Sequence, residues 1–184
     1  MKTLGFLGAV AALLGISASA GVAAPTVREA SKSVQAREMF REIGDRSSAI
    51  ADQAFRLETM VKDMRDPQSH IDTLERLREN INNVGHTLVT LDNERAQLSD
   101  WEVRALDEVL PLVQQIAAND KLAYQAYSDG RNHLFFTPYA NEMDKIAVDA
   151  QKAGEIVSGY LKLASVRQEE TRLDHKLEGL TGTR

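Results

Sequence analysis

Four histidines, His70, His86, His133 and His175, are the side chains best suited to bind a metal or a haem in this chain of 184 residues, which has no cysteine. In a helical protein such chemistry needs ligands repeated on core-facing positions. A carboxylate-bridged metal pair would show Glu-x-x-His, and covalently attached haem would show Cys-x-x-Cys-His. Neither motif occurs. His86 falls on the outer face of its helical pattern, and His175 lies off the Leu173–Leu177 stripe, so neither supplies an axial ligand. His70 and His133 share one turn end with Asp66 and Asp129, where an adventitious divalent ion could sit. Solvated surface histidines are the plainer expectation, and no metal or cofactor is expected.

Hydrolytic and phosphate chemistry have no better support. The chain carries no glycine-rich phosphate loop, no G-x-S-x-G elbow and no HExxH. Its carboxylates stand three or four residues from basic partners, as in Glu38 with Arg41 and Glu75 with Arg78, which is the spacing of solvated helix faces. No catalytic residue is expected, and the chain reads as a protein that is not an enzyme.

The aromatic side chains are more suggestive. Tyr124, Tyr127, Phe135, Phe136 and Tyr139 cluster within a short stretch, and Asn132-His133-Leu134-Phe135-Phe136 is apolar for a connection. As structure, this segment plugs an open end of the fold. As function, it is an apolar tip that meets a partner. Phe135, Phe136, Tyr139 and Tyr127 are therefore the candidate partner-binding residues.

The elements that must position these residues are helices. Apolar residues recur at alternating spacings of three and four, the pattern of a packed helical seam. The first seam is Ala36, Phe40, Ile43, Ser47, Ile50, Ala54, Leu57, Val61 and Met64. The second is Leu74, Leu77, Ile81, Val84, Leu88, Leu91, Arg95 and Leu98. The third, looser, is Val103, Leu106, Leu110, Val113, Ala117, Tyr124 and Tyr127. The fourth is Tyr139, Met143, Ile146, Ala150, Ala153, Val157, Tyr160 and Ala164, after which Leu163, Val166, Leu173 and Leu177 form a neighbouring stripe. Pro67 separates the first two helices. Ser99-Asp100-Trp101-Glu102 fits a capping box, Gly130 stops the third helix, and Thr137-Pro138 opens the fourth. Short connections favour antiparallel neighbours, so the fold class is all-α, an up-down-up-down antiparallel four-helix bundle with long first and fourth helices.

Those two helices, expected over about 28–65 and 138–178, outrun the others by roughly ten residues, or ~15 Å. The excess is either fraying ends or an arm that docks. Within the bundle, Gly85, Pro111 and Gly154 fall at one level. They either allow close helix approach or open a cavity lined by Val84, Leu88, Leu110, Val113, Ala150 and Ala153.

Residues 1–20 read as a secretory signal peptide. Lys2 is basic, Leu4 to Ile16 is apolar but too short to span a bilayer, and Ala18-Ser19-Ala20 is a cleavage site. Residues 21–184 then form a single helical-bundle domain, exported to a periplasmic or extracellular location, with no transmembrane segment after removal of the signal. The formal charge of −5 is spread along the chain, and without a basic stripe neither nucleic acid nor an anionic membrane surface is an expected partner. The expected function is protein–protein interaction, with a protein partner or self-association, as a scaffold, adaptor or chaperone-like factor. The alternative is a small-molecule or cofactor-binding bundle that uses the mid-level cavity.

Overall fold

The computed structural model describes residues 27–61, 67–130, 134 and 137–181. The expected signal peptide, and Phe135 and Phe136 of the apolar tip, lie outside these residues. The elements are α1 (Val27–Met60), α2 (Pro67–Asn93), a short 3-10 turn (Arg95–Gln97), α3 (Asp100–Gly130) and α4 (Tyr139–Thr181). Both α1 and α4 run unbroken through Gly44 and Gly154.

Cross-helix pairs fix the topology. On α1 and α4, Arg37 meets Gln168, whereas Gly44 meets Val157. Between α2 and α3, Arg78 meets Asp120, and Arg95 of the 3-10 turn after α2 meets Asp107. Between α3 and α4, Glu108 meets Tyr160 and Tyr127 meets Tyr139. In each case one number rises as the other falls, so the helices alternate up, down, up, down. The seams of α4 with α1 and with α3 are the closest, and that between α2 and α3 is the loosest.

The first, second and fourth seams pack as the spacing requires. Phe40, Ile43, Ile50 and Leu57 of α1, Leu77, Val84, Leu88 and Leu91 of α2, and Tyr139, Met143, Ile146, Ala150 and Ala153 of α4 are all buried. Each large apolar side chain removed from water stabilises the fold by about 1.5–3 kcal/mol. The third seam is rotated from its expected position. Ala117 and Tyr124 face solvent, and the buried face is Glu102, Ala105, Leu106, Val109, Leu112, Val113, Ile116, Asp120, Ala123 and Tyr127. Two acidic residues occupy seam positions there, so a count of apolar letters slides past them.

The expected layer of helix breakers does not face the interior. Pro111 is exposed within a continuous α3, and a Cβ on Gly85 would have nothing within 4 Å. Only Gly154 sits at a packed contact, where its Cβ would lie 3.6 Å from the Gly44 carbonyl and 3.7 Å from Ser47 Cβ. Small residues there bring α1 and α4 together. Among the other poor helix formers, Asn80 accepts a 3.0 Å hydrogen bond from Arg46 and donates one of 3.2 Å to Gln53, tying α2 to α1.

Helix starts are secured by side chains. The Glu102 carboxylate accepts the Ser99 N–H and the Ser99 hydroxyl, each at 2.7 Å, which is the glutamate half of a capping box. Thr137 Oγ1 donates to the Leu134 carbonyl at 2.8 Å and accepts the Tyr139 N–H at 3.3 Å, fixing the entry to α4.

Candidate functional site

The aromatic end of the bundle is built by three helices. His70, in the first turn of α2, is fully buried. Its ring stacks on Tyr127 of α3 at 5.3 Å and tilts against Tyr139 of α4 at 5.4 Å. Tyr139 Oη and His70 Nε2 share a 2.9 Å hydrogen bond whose direction follows the imidazole tautomer. Leu134, from the connection, is buried in the same core. His70 is thus a core residue rather than the solvated surface histidine expected. The other turn-end candidates Asp66 and His133 lie outside the described residues, and among the described residues no three His, Cys, Asp or Glu side chains converge as metal ligands.

Burial sets the electrostatics of this end. It lowers the His70 pKa and holds the imidazole neutral. The Tyr139 pKa is driven far above its ordinary value, first by burial and then by the nearby Tyr127 and Asp120. Asp120 is also raised by burial, against the pull of Arg78. Arg78 Nε lies 3.2 Å from Asp120 Oδ2, and its guanidinium covers the Tyr124 ring at 4.2 Å. Arg78 therefore serves the α2–α3 seam instead of the Glu75 partner suggested by spacing. His70 Nδ1 and Asp120 Oδ1 have no hydrogen-bond partner. The arrangement pins three helices together through His70, Tyr127 and Tyr139.

Of the four candidate partner-binding residues, Tyr127 and Tyr139 are buried. Both rings pack against His70 in the core. The other two, Phe135 and Phe136, lie outside the described residues. Sequence reasoning named His70 and found Glu102 in its capping box, but it placed neither in the core and it missed Asp120, although each extends a buried row by one step. His70 is four residues before Leu74, Asp120 four after Ile116, and Glu102 four before Leu106.

The opposite end carries a different surface. By register with α3 and α1, α4 runs past the start of α3 with only the first turns of α1 beside it. Every α4 side chain described from Ser165 to Glu178 is exposed. At the base, Arg37 donates to Gln168 at 2.7 Å and stands 6.0 Å from the Trp101 ring, which in turn packs on Phe40. Ala164, Gln168, Thr171 and His175, flanked by Arg167 and Arg172, line a groove with Arg37 and Trp101, so that face of α4 is turned toward the body. Leu163, Val166, Leu173 and Leu177 lie roughly 200° round the helix from it and are 44%, 49%, 47% and 60% exposed.

No protein-family model matches the chain, and no curated protein or solved structure is significantly similar to it. Among the described residues, no helix is long and apolar enough to cross a membrane.

Proposed function

We propose that this chain is an exported, non-catalytic helical-bundle protein that acts through protein–protein interaction, as a scaffold, adaptor or chaperone-like factor of the cell envelope. The observation that carries this reading is the exposed stripe Leu163–Val166–Leu173–Leu177, which runs from the part of α4 beside the first turns of α3 out along its overhang. Scattered surface apolar residues are ordinary, but an aligned row on a projecting helix is the form used to lay one helix against another. Export rests on the leader pattern of residues 1–20. The buried state of Tyr127 and Tyr139 moves the proposed contact from the aromatic end to the arm. The ligand-binding alternative loses its motive, because Gly85 and Pro111 face outward.

A photo-reactive benzoylphenylalanine placed at Leu173 tests this reading in producing cells. Irradiation should give a protein adduct of raised mass. A chain that remains uncoupled at every expression level would overturn the interaction reading. Intact mass of the recovered protein tests export separately, through loss of residues 1–20.

A further inference from the structure

We infer that the partner of the α4 stripe is a second copy of this chain, paired antiparallel arm to arm. The inference rests on the interaction reading above and adds the identity and direction of the partner.

Leu163, Val166, Glu170, Leu173 and Leu177 follow spacings of three and four, so they occupy the seam positions of a heptad repeat, with Leu163, Glu170 and Leu177 at a and Val166 and Leu173 at d. The flanking positions are Glu169 and Lys176 on one side (g), and Arg167 and Asp174 on the other (e). All four flanking residues are exposed. In an antiparallel pair, a faces d. Val166 then meets Leu177 of the second copy, and Glu170 meets its Leu173. This register sets e beside e and g beside g. Arg167 falls beside Asp174 of the second copy, and Glu169 beside its Lys176, each contact occurring twice by symmetry. Every flanking contact joins opposite charges.

A parallel pair gives the reverse. Glu170 would face Glu170 in the seam, Lys162 would flank Arg167, and Glu169 would flank Asp174, all like charges. Charge order therefore selects both the partner and its direction, as flanking charges do in helical pairs. The geometry allows it, since the apolar stripe lies roughly 200° round α4 from the groove toward Trp101, and Arg167, which borders both the stripe and that groove, is exposed. Antiparallel arms place the two bodies at opposite ends, apart from each other. Glu169 now bonds Arg172 of its own helix, and in the pair it would share its carboxylate with Lys176 of the second copy. The seam is short, so the dimer belongs to the weak, reversible class of interface.

The test uses Arg167→Asp and Asp174→Arg, two exposed substitutions, with helicity monitored by circular dichroism. Sedimentation of the recovered chain at roughly 10–300 µM, the range that reads weak association, should show a monomer–dimer equilibrium. Either variant alone places like charges at both e contacts and should weaken the dimer at least tenfold. An equimolar mixture of the two variants should restore it, because each contact again joins Asp to Arg. In a parallel dimer Arg167→Asp would instead strengthen association, by placing an acid beside Lys162. A wild-type chain that stays monomeric, a strengthened single variant, or a mixture no better than its components would each overturn the inference. Photo-adducts from position 173 separate the two readings. An adduct of twice the chain mass supports self-pairing. An adduct only with another protein overturns self-pairing while the interaction reading stands, and no adduct overturns both.

Discussion

Tyr139 Oη lies 2.9 Å from His70 Nε2 although the two residues are 69 positions apart, and the bond ties the first turn of α4 to the first turn of α2. Burial lowers the folded-state pKa of His70 below its ordinary 6.5. Below that pH the unfolded chain takes up a proton that the folded chain refuses. Stability should therefore fall as pH drops from about 6.5 toward the folded-state value. Asp120 acts in the opposite sense. Its raised pKa means that its cost is present at neutral pH and relieved as the pH approaches its ordinary 3.8. Urea midpoints should decline between pH 7.5 and 5.5, and the decline should flatten in His70→Leu/Tyr139→Phe, which removes the titrating ring and its partner together. An unchanged slope in that variant would assign the decline elsewhere.

The glycines should respond to alanine according to their surroundings. A methyl on Gly85 meets nothing within 4 Å, so Gly85→Ala should gain about 0.5–1 kcal/mol from helix propensity alone. That corresponds to a rise of about 2–4 °C in Tm per kcal/mol for a chain this size. Gly154→Ala makes ordinary contacts from 3.5 Å and should also stabilise. Gly130→Ala would press its Cβ to 2.6 Å from Thr137 Cγ2, and Thr137 is held by its bonds to Leu134 and Tyr139. It should cost about 1–3 kcal/mol. Thermal melts of the three variants give the ranking.

Removing Arg78 should harm the bundle more than removing the charge it neutralises. Arg78→Met leaves the Asp120 carboxylate buried with neither oxygen bonded, at a cost of roughly 1–3 kcal/mol. Asp120→Asn in the same chain should recover part of that loss. Additive effects in this double-mutant cycle would show that the two side chains are energetically independent.

Glu102 is almost fully buried and caps α3 through Ser99. Glu102→Ala should lose about 1 kcal/mol, the usual value of a helix cap. Glu102→Gln retains one acceptor oxygen and should lose less. Faster hydrogen exchange at the Ser99 amide in Glu102→Ala, with the α3 centre unchanged, would localise the effect to the cap.

The bundle was legible because three seams are written almost wholly in apolar residues, with Ser47 in the first and Arg95 in the second as the departures. The third seam was misread by a rotation of α3, since Glu102 and Asp120 hold core positions: the capping motif announced the bond of Glu102 but not its burial, and no periodicity announces the ion pair of Asp120. His70 was hidden the same way. It occupies the seam position before Leu74, but its burial depends on Tyr127 and Tyr139, which only the fold brings together. The α4 stripe was visible as a pattern, whereas its exposure required knowing where α3 begins beside it.

Trp101 is the only tryptophan of the chain. It sits half-buried against Phe40 and Arg37 where the arm leaves the body, far from the tyrosine–histidine end. Its emission is thus an intrinsic optical probe of that junction. A wavelength shift on association would report events at the base of α4 from a single known position, without attaching a label.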